Sequence, residues 1–255
     1  MQQRPKVRHG LLALAIALAM PSLADAQAQT VKVGVIPASG PGNQVPAAGT
    51  SFFVDLMEAI ATRAGFKVEF YAVPFGEQIA GVVSGALDVG ASPFAITEER
   101  RALGVEFTKP VAALQDSLLV AASDPETYQS VADLKGQAVG TMAGTIWEAT
   151  VRNAGAELKT YPDVVDLVPA ITAGEIKAAV VSSANRYLLE VERPDPGVRF
   201  DDTYIPTAKN DGSLVVRRDD TALIDKLNAA IDALKAEGTV LPALIEKYRY
   251  SMPKG

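Results

Sequence analysis

The sequence predicts an α/β fold built from two βαβ sets, and three observations carry that expectation. β-branched apolar runs alternate with amphipathic segments that close on glycine. The alternation pauses after Pro110, where the chain runs extended through Ser117 to Ala122, and restarts beyond Ser123-Asp124-Pro125. A second extended run, Ser213 to Arg217, leads into a helical end. Two sets joined by two extended segments read as two lobes: residues 27–120 with 213–255 as lobe 1, and 121–212 as lobe 2. A single doubly wound sheet satisfies the same alternation.

The elements follow in order. Val31 to Ile36 is a β-branched strand, and Lys67 to Val73 is another. Between them, Phe52 to Ala64 places Asp55, Glu58, Thr62 and Arg63 on one face and ends at Gly65, as a helix with a glycine C-cap does. Gln78 to Ser84 is a short helix closed by Gly85, and Leu87 to Ala91 the next strand. The second set has strands Gln137 to Met142, Glu157 to Tyr161 and Ala178 to Ser182. Its helices begin at Thr145 and end at Ala173 before Gly174, and a further strand covers Val198 to Tyr204. In Ala222 to Ala236, Leu223, Leu227, Ala230, Ile231 and Leu234 share a face before Gly238, and Pro242 to Tyr248 forms a last helix. The longest loop, Pro37 to Thr50, follows the first strand, where ligand-lining loops of α/β sheets lie.

The first residues read as an export signal. Arg4, Lys6 and Arg8 precede the apolar run Leu11 to Met20, then Pro21 and a small-residue site, Ala24-Asp25-Ala26 or Ala26-Gln27-Ala28. That run is too short for a bilayer span. No cysteine stands at the cleavage site, so a lipid anchor is not expected. The expected address for 27–255 is a Gram-negative periplasm, with no disulfides because the chain has no cysteine.

Composition narrows function. The chain carries a net charge of −6, and the leader would take three cations and one acid with it. A more acidic mature chain argues against nucleic acid or an anionic membrane surface as partner. His9, the only histidine, leaves with the leader. Without His or Cys there is no Ser-His-Asp triad, no cysteine nucleophile and no usual zinc or copper ligand set. No cofactor or metal is expected, and an enzyme is disfavoured.

The most informative stretch is Asp88 to Pro110, DVGASPFAITEERRALGVEFTKP: strand, turn, then a helix with an acidic first turn that delivers Arg100 and Arg101. Ligands bind where a strand of an open α/β sheet ends in such a turn, and arginine's planar fork matches a carboxylate.

Five segments resemble the polar amino-acid-binding family of periplasmic solute-binding proteins of ABC transporters, solute-binding family 3. They are Phe52 to Phe70, Phe75 to Arg100 with its T-x-x-R ending, Val105 to Pro110, Ser130 to Glu148, and Ala173 to Ser183. The resemblance covers nearly the whole mature chain. It implies a type II periplasmic-binding-protein-like fold: two α/β lobes with two hinge crossings that close over a small solute and deliver it to an ABC permease.

The resemblance also implies site residues. Arg100, placed by Thr97, would grip a solute carboxylate; spacing counted back from Phe107 falls on Arg101 instead. The backbone N–H groups of Gly144 and Thr145 would share that carboxylate, although Thr145-Ile146-Trp147-Glu148 is also a capping box. Ser92 is kept, whereas Ala95 lacks the family's hydroxyl and Pro93 lacks an N–H. Ser182 stands where the family has an acid for the solute's α-ammonium, with Asn185 one turn on as a polar substitute. Phe75 matches an aromatic wall position, whose opposing ring is replaced by the small residues Ala38-Ser39-Gly40. Trp147 would face the cleft or the core. A retained carboxylate clamp and a lost ammonium clamp point to a small anionic, carboxylate-bearing solute, not necessarily an ordinary α-amino acid. Two rival readings share the scaffold: a non-transport periplasmic accessory or sensing protein, and a dehydratase-like enzyme.

Overall fold

The computed structural model describes residues 29–38, 44–207 and 210–253. The leader at 1–26, His9, and Ser39 and Gly40 of the first loop lie outside the described residues. The chain runs β1 (Thr30–Val35), α1 (Phe52–Ala64), β2 (Lys67–Ala72), α2 (Phe75–Ser84), β3 (Val89–Ala95), α3 (Glu98–Ala102), β4 (Val105–Phe107) and β5 (Ala112–Leu114). It continues as β6 (Asp116–Ala121), β7 (Ala138–Met142), α4 (Trp147–Asn153), β8 (Glu157–Tyr161), α5 (Leu167–Thr172), β9 (Ala178–Ser182), α6 (Asn185–Tyr187) and β10 (Val198–Phe200). β11 (Asn210–Arg217), α7 (Thr221–Glu237) and α8 (Val240–Lys247) complete it.

The strands form two sheets. The first is ordered β2-β1-β3-β11-β4, with β5 also on β11; the second is β10-β6-β9-β7-β8. In the first, β1 is parallel to β2 and β3, and β11 is antiparallel to β3, β4 and β5. In the second, β7 is parallel to β8 and β9, β6 is antiparallel to β9, and β10 is antiparallel to β6. Each sheet thus reverses strand order at a central strand, β1 or β7. The crevice outside the C-terminal ends of such strands is where open α/β sheets bind ligands.

Local chemistry explains the elements. α1 ends at Gly65 in the left-handed region (φ 72°), with its N–H on the Ala61 carbonyl 2.9 Å away, a conformation that glycine adopts without strain. The buried face of α1, from Phe52 to Ala61, packs with Leu223, Leu227, Ala230, Ile231 and Leu234 of α7 in one core. Ile60 and Leu227 are fully buried there, each contributing roughly 1.5–3 kcal/mol. This packing draws the C-terminal helices back onto the first sheet.

Several boundaries differ from expectation. β6 pairs in the second sheet, so the chain passes between sheets at Gln115 rather than after 120. It returns between β10 and β11, whose first residue, Asn210, already pairs with Leu114. Apolar extended runs look alike in sequence whichever sheet they join. α2 begins at Phe75, not Gln78, because Pro74 at the N-cap already holds a fitting φ of −52°. β3 continues through Pro93 to Ala95. The register with β11 shifts between Ser213 and Val215, and such irregularities tolerate proline's missing donor. α4 starts at Trp147, two residues after the expected Thr145. No described helix is long and apolar enough to cross a membrane.

Candidate functional site

A small cavity of about 60 Å³ lies outside the C-terminal ends of both switch-point strand pairs. Ile36 after β1 and Ala95 of β3 reach it from the first sheet; Met142 of β7 and Ser182 of β9 reach it from the second.

The two sheets' loops touch at this cavity. Arg100 in α3 is oriented by Thr97, whose hydroxyl accepts from the Arg100 N–H at 3.2 Å. Arg100 Nη1 donates to the Ala95 carbonyl and Nη2 to the Gly144 carbonyl, both at 2.8 Å, so one guanidinium joins the two lobes. A guanidinium has five N–H donors, so these two bonds leave further donors for a solute. Its charge centre stands 5.7 Å from the Phe75 ring and 5.4 Å from Phe94, and those rings stack at 4.6 Å. Burial lowers the Arg100 pKa from the ordinary arginine value, partly opposed by Glu99. Among the described residues Arg100 forms no ion pair. Arg101 is outside the cavity wall. It pairs with Glu106 and with Glu98 at 3.5 Å, half-buried over Phe107.

Gly144 departs from its expected role. Its N–H donates to Glu148 Oε1 at 2.7 Å, and Glu148 is further tied to Arg152 at 2.8 Å. The carboxylate one turn into the helix thus covers the donor expected for a solute. Glu148 reaches back one residue further than the capping box predicts, and the Thr145 side chain turns instead to the Met142 carbonyl at 2.8 Å and lies 3.2 Å from Thr141 Oγ1. The Thr145 N–H makes only a long contact, 3.4 Å, with the Met142 carbonyl. Gly144 has φ 79°, and a Cβ there would sit 2.9 Å from Gly76 Cα. Backbone meets backbone across the cleft, which is therefore closed.

The remaining predicted residues divide. Phe75, Ala95, Thr145, Trp147 and Ser182 line the cavity. Phe75 and Trp147 are also core residues, 5% and 7% exposed. Ser92 does not line the cavity. β3 continues as a strand past it, leaving it fully buried, with a hydroxyl that finds no partner among the described residues. Ser182 Oγ accepts from the Ala184 N–H at 3.3 Å. Leu114 and Tyr250 also line the site and were not anticipated. No sequence signal marks Tyr250, because it enters from the far end of the chain.

Among the described residues Arg100 is the cavity's only charged lining residue, and no Asp or Glu lines it. A larger adjoining cavity of about 420 Å³ shares Ile36, Met142, Ala184, Asn185 and Tyr250 with it and reaches Asp163, Glu192 and Arg193. Burial raises the pKa of both Asp163 and Glu192. Among the described residues no His/Cys/Asp/Glu group could hold a metal ion.

Comparisons with known proteins agree with this architecture. The family model for bacterial extracellular solute-binding proteins, family 3, matches residues 31–250. A probable histidine-binding protein of Campylobacter jejuni is 28% identical over 86% of this chain and 84% of its own. The ABC transporter arginine-binding protein 1 of Escherichia coli is 29% identical over 89% and 94%. Among solved structures, an ancestral arginine-binding protein bound to arginine is similar, with a TM-score of 0.75 and 27% identity over 87% of this chain and 99% of that one.

Proposed function

Because the chain belongs to family 3 of the bacterial extracellular solute-binding proteins, we propose that it holds a small carboxylate-bearing solute in the periplasm and passes it to an ABC permease. The observation that carries this reading is Arg100: a partly buried guanidinium in a closed cleft, with donors to spare and, among the described residues, no ion pair. Burial disfavours the charged form of Arg100, and a solute carboxylate would offset that cost. The long Thr145 N–H contact leaves a second donor nearby. With neither an acid nor a histidine among the described residues of the cavity lining, the cleft is suited to binding rather than to proton-transfer chemistry.

Calorimetric titration of the mature protein with monocarboxylates, amino acids and inorganic anions tests this. Carboxylates are expected to bind, and Arg100→Gln to weaken them by about 2 kcal/mol or more, some 30-fold. Unchanged carboxylate affinity in Arg100→Gln would sink the reading.

One observation favours a second reading. The adjoining cavity brings Asp163 and Glu192 within the same cleft, and relatives are named for binding histidine and arginine. A basic amino acid could place its carboxylate on Arg100 and its cationic end there. Tight binding of arginine or histidine, lost in Asp163→Asn with Glu192→Gln, would select this alternative.

A further inference from the structure

The segment after α8 enters the cleft in a built arrangement. After α8, Arg249 adopts φ 55°, the left-handed region that non-glycine residues occupy at a cost. The tail is fastened on three sides. Tyr250 N donates to the Ile245 carbonyl at 3.0 Å, Ser251 O accepts from Ala113 N at 2.7 Å, and the Arg249 guanidinium reaches across to Glu190 at 3.0 Å. The Tyr250 ring stacks on Phe52 at 4.4 Å and meets Phe53 edge-on at 6.0 Å. Held so, Tyr250 lines both the Arg100 cavity and the adjoining one.

Its hydroxyl makes no hydrogen bond to any described residue, although the ring is only partly exposed. Burial raises the phenol's pKa, so it is a neutral group able to donate and accept. The Asn185 side-chain amide, in the same wall, likewise has no partner among the described residues. Ser182 Oγ accepts one bond and keeps its proton to donate. Beside the single cation, the cavity's side-chain polar groups are therefore neutral. Such a wall satisfies hydroxyl and carbonyl oxygens fully, whereas a desolvated ammonium needs a carboxylate to offset its burial.

We propose that Tyr250, with Asn185, is the specificity-determining contact of this cleft, selecting a hydroxy- or oxo-carboxylate over the corresponding amino acid. The proposal rests on the reading of Arg100 as the carboxylate's partner. It adds that the solute's second polar group is a neutral oxygen.

The test is titration calorimetry with matched sets sharing one carbon skeleton. Lactate, 3-hydroxypropionate, pyruvate, alanine and propionate form the small set; 4-methylpentanoate with its 2-hydroxy, 3-hydroxy, 2-oxo and 2-amino derivatives forms the larger one. Hydroxy or oxo acids are expected to bind at least tenfold more tightly than the amino and unsubstituted members of their set. Tyr250→Phe keeps the ring and its stack on Phe52, so its melting temperature should match the wild type. It should lose about tenfold for hydroxy or oxo acids and nothing for the unsubstituted acid. If carboxylates bind through Arg100 but the amino acid binds best, or Tyr250→Phe leaves the preference intact, this proposal falls while the carboxylate reading stands. If no member binds, or Arg100→Gln binds them all equally well, the carboxylate reading falls and takes this proposal with it.

Discussion

Replacing Gly144 by alanine should open the cleft. Two terms follow from the geometry. At φ 79° an alanine pays the left-handed cost of about 1–2 kcal/mol. Its Cβ would also lie 2.9 Å from Gly76 Cα, well inside the ~3.5–4.0 Å of a comfortable carbon contact. Neither glycine has a side chain that could yield, so the clash is relieved only by moving the lobes apart. Overpacking of this kind costs about 1–3 kcal/mol, enough to shift a closed–open equilibrium by about 5–150-fold. Gly65→Ala separates the two terms, because Gly65 has φ 72° and a Cβ there would meet nothing within 4 Å. Both variants should melt a few degrees lower, about 2–4 °C per kcal/mol for a chain of this size. Only Gly144→Ala should increase the radius of gyration in small-angle scattering. Scattering curves for the two variants that superimpose would refute the reasoning.

Two further outcomes concern the tertiary ties. Burial works against the charge of Asp55, but the Gly49 N–H, the Tyr248 hydroxyl and Lys247 together outweigh it and hold its pKa below 3.8. A depressed carboxylate stabilises the fold above its unfolded pKa and loses that contribution as pH falls through the folded value. Asp55→Asn should therefore be less stable than wild type at neutral pH, with the gap closing in denaturation curves taken below about pH 4. Asp116, 1% exposed, accepts from Tyr204 OH at 2.5 Å and from Thr207 N and Oγ1 at 2.7 and 2.8 Å. This fastens the segment that returns to the first sheet. Asp116→Ala should cost about 1–3 kcal/mol or more in urea unfolding, because the buried Tyr204 hydroxyl loses its acceptor.

Legibility followed how local each feature is. α1 and its Gly65 cap could be read because a helix and its C-cap are set by residues within a turn of one another. β8 and β9 match their expected bounds, since each is a run of strand-forming residues closed by turn chemistry. β5 was missed: Ala112–Leu114 has no pattern of its own and is a strand only because β11 pairs with it. Ser92 was misread as a pocket residue because the register shift in β11, which lets β3 run on through Pro93, lies more than a hundred residues away. Gly144 kept its place in the loop, but its N–H went to Glu148, a choice between solute and protein that spacing does not express.

By itself the sequence determined the α/β alternation and the family, and narrowed the cleft arginine to Arg100 or Arg101, because each rests on residues close together in the chain. Only the tertiary structure decided which sheet β6 joins, that Arg100 bridges the lobes without an acidic partner, and that Tyr250 completes the wall. Those features arise where the chain passes twice between the sheets and brings residues from Ile36 to Tyr250 around one cavity. The charge balance of that cavity belongs to no single segment.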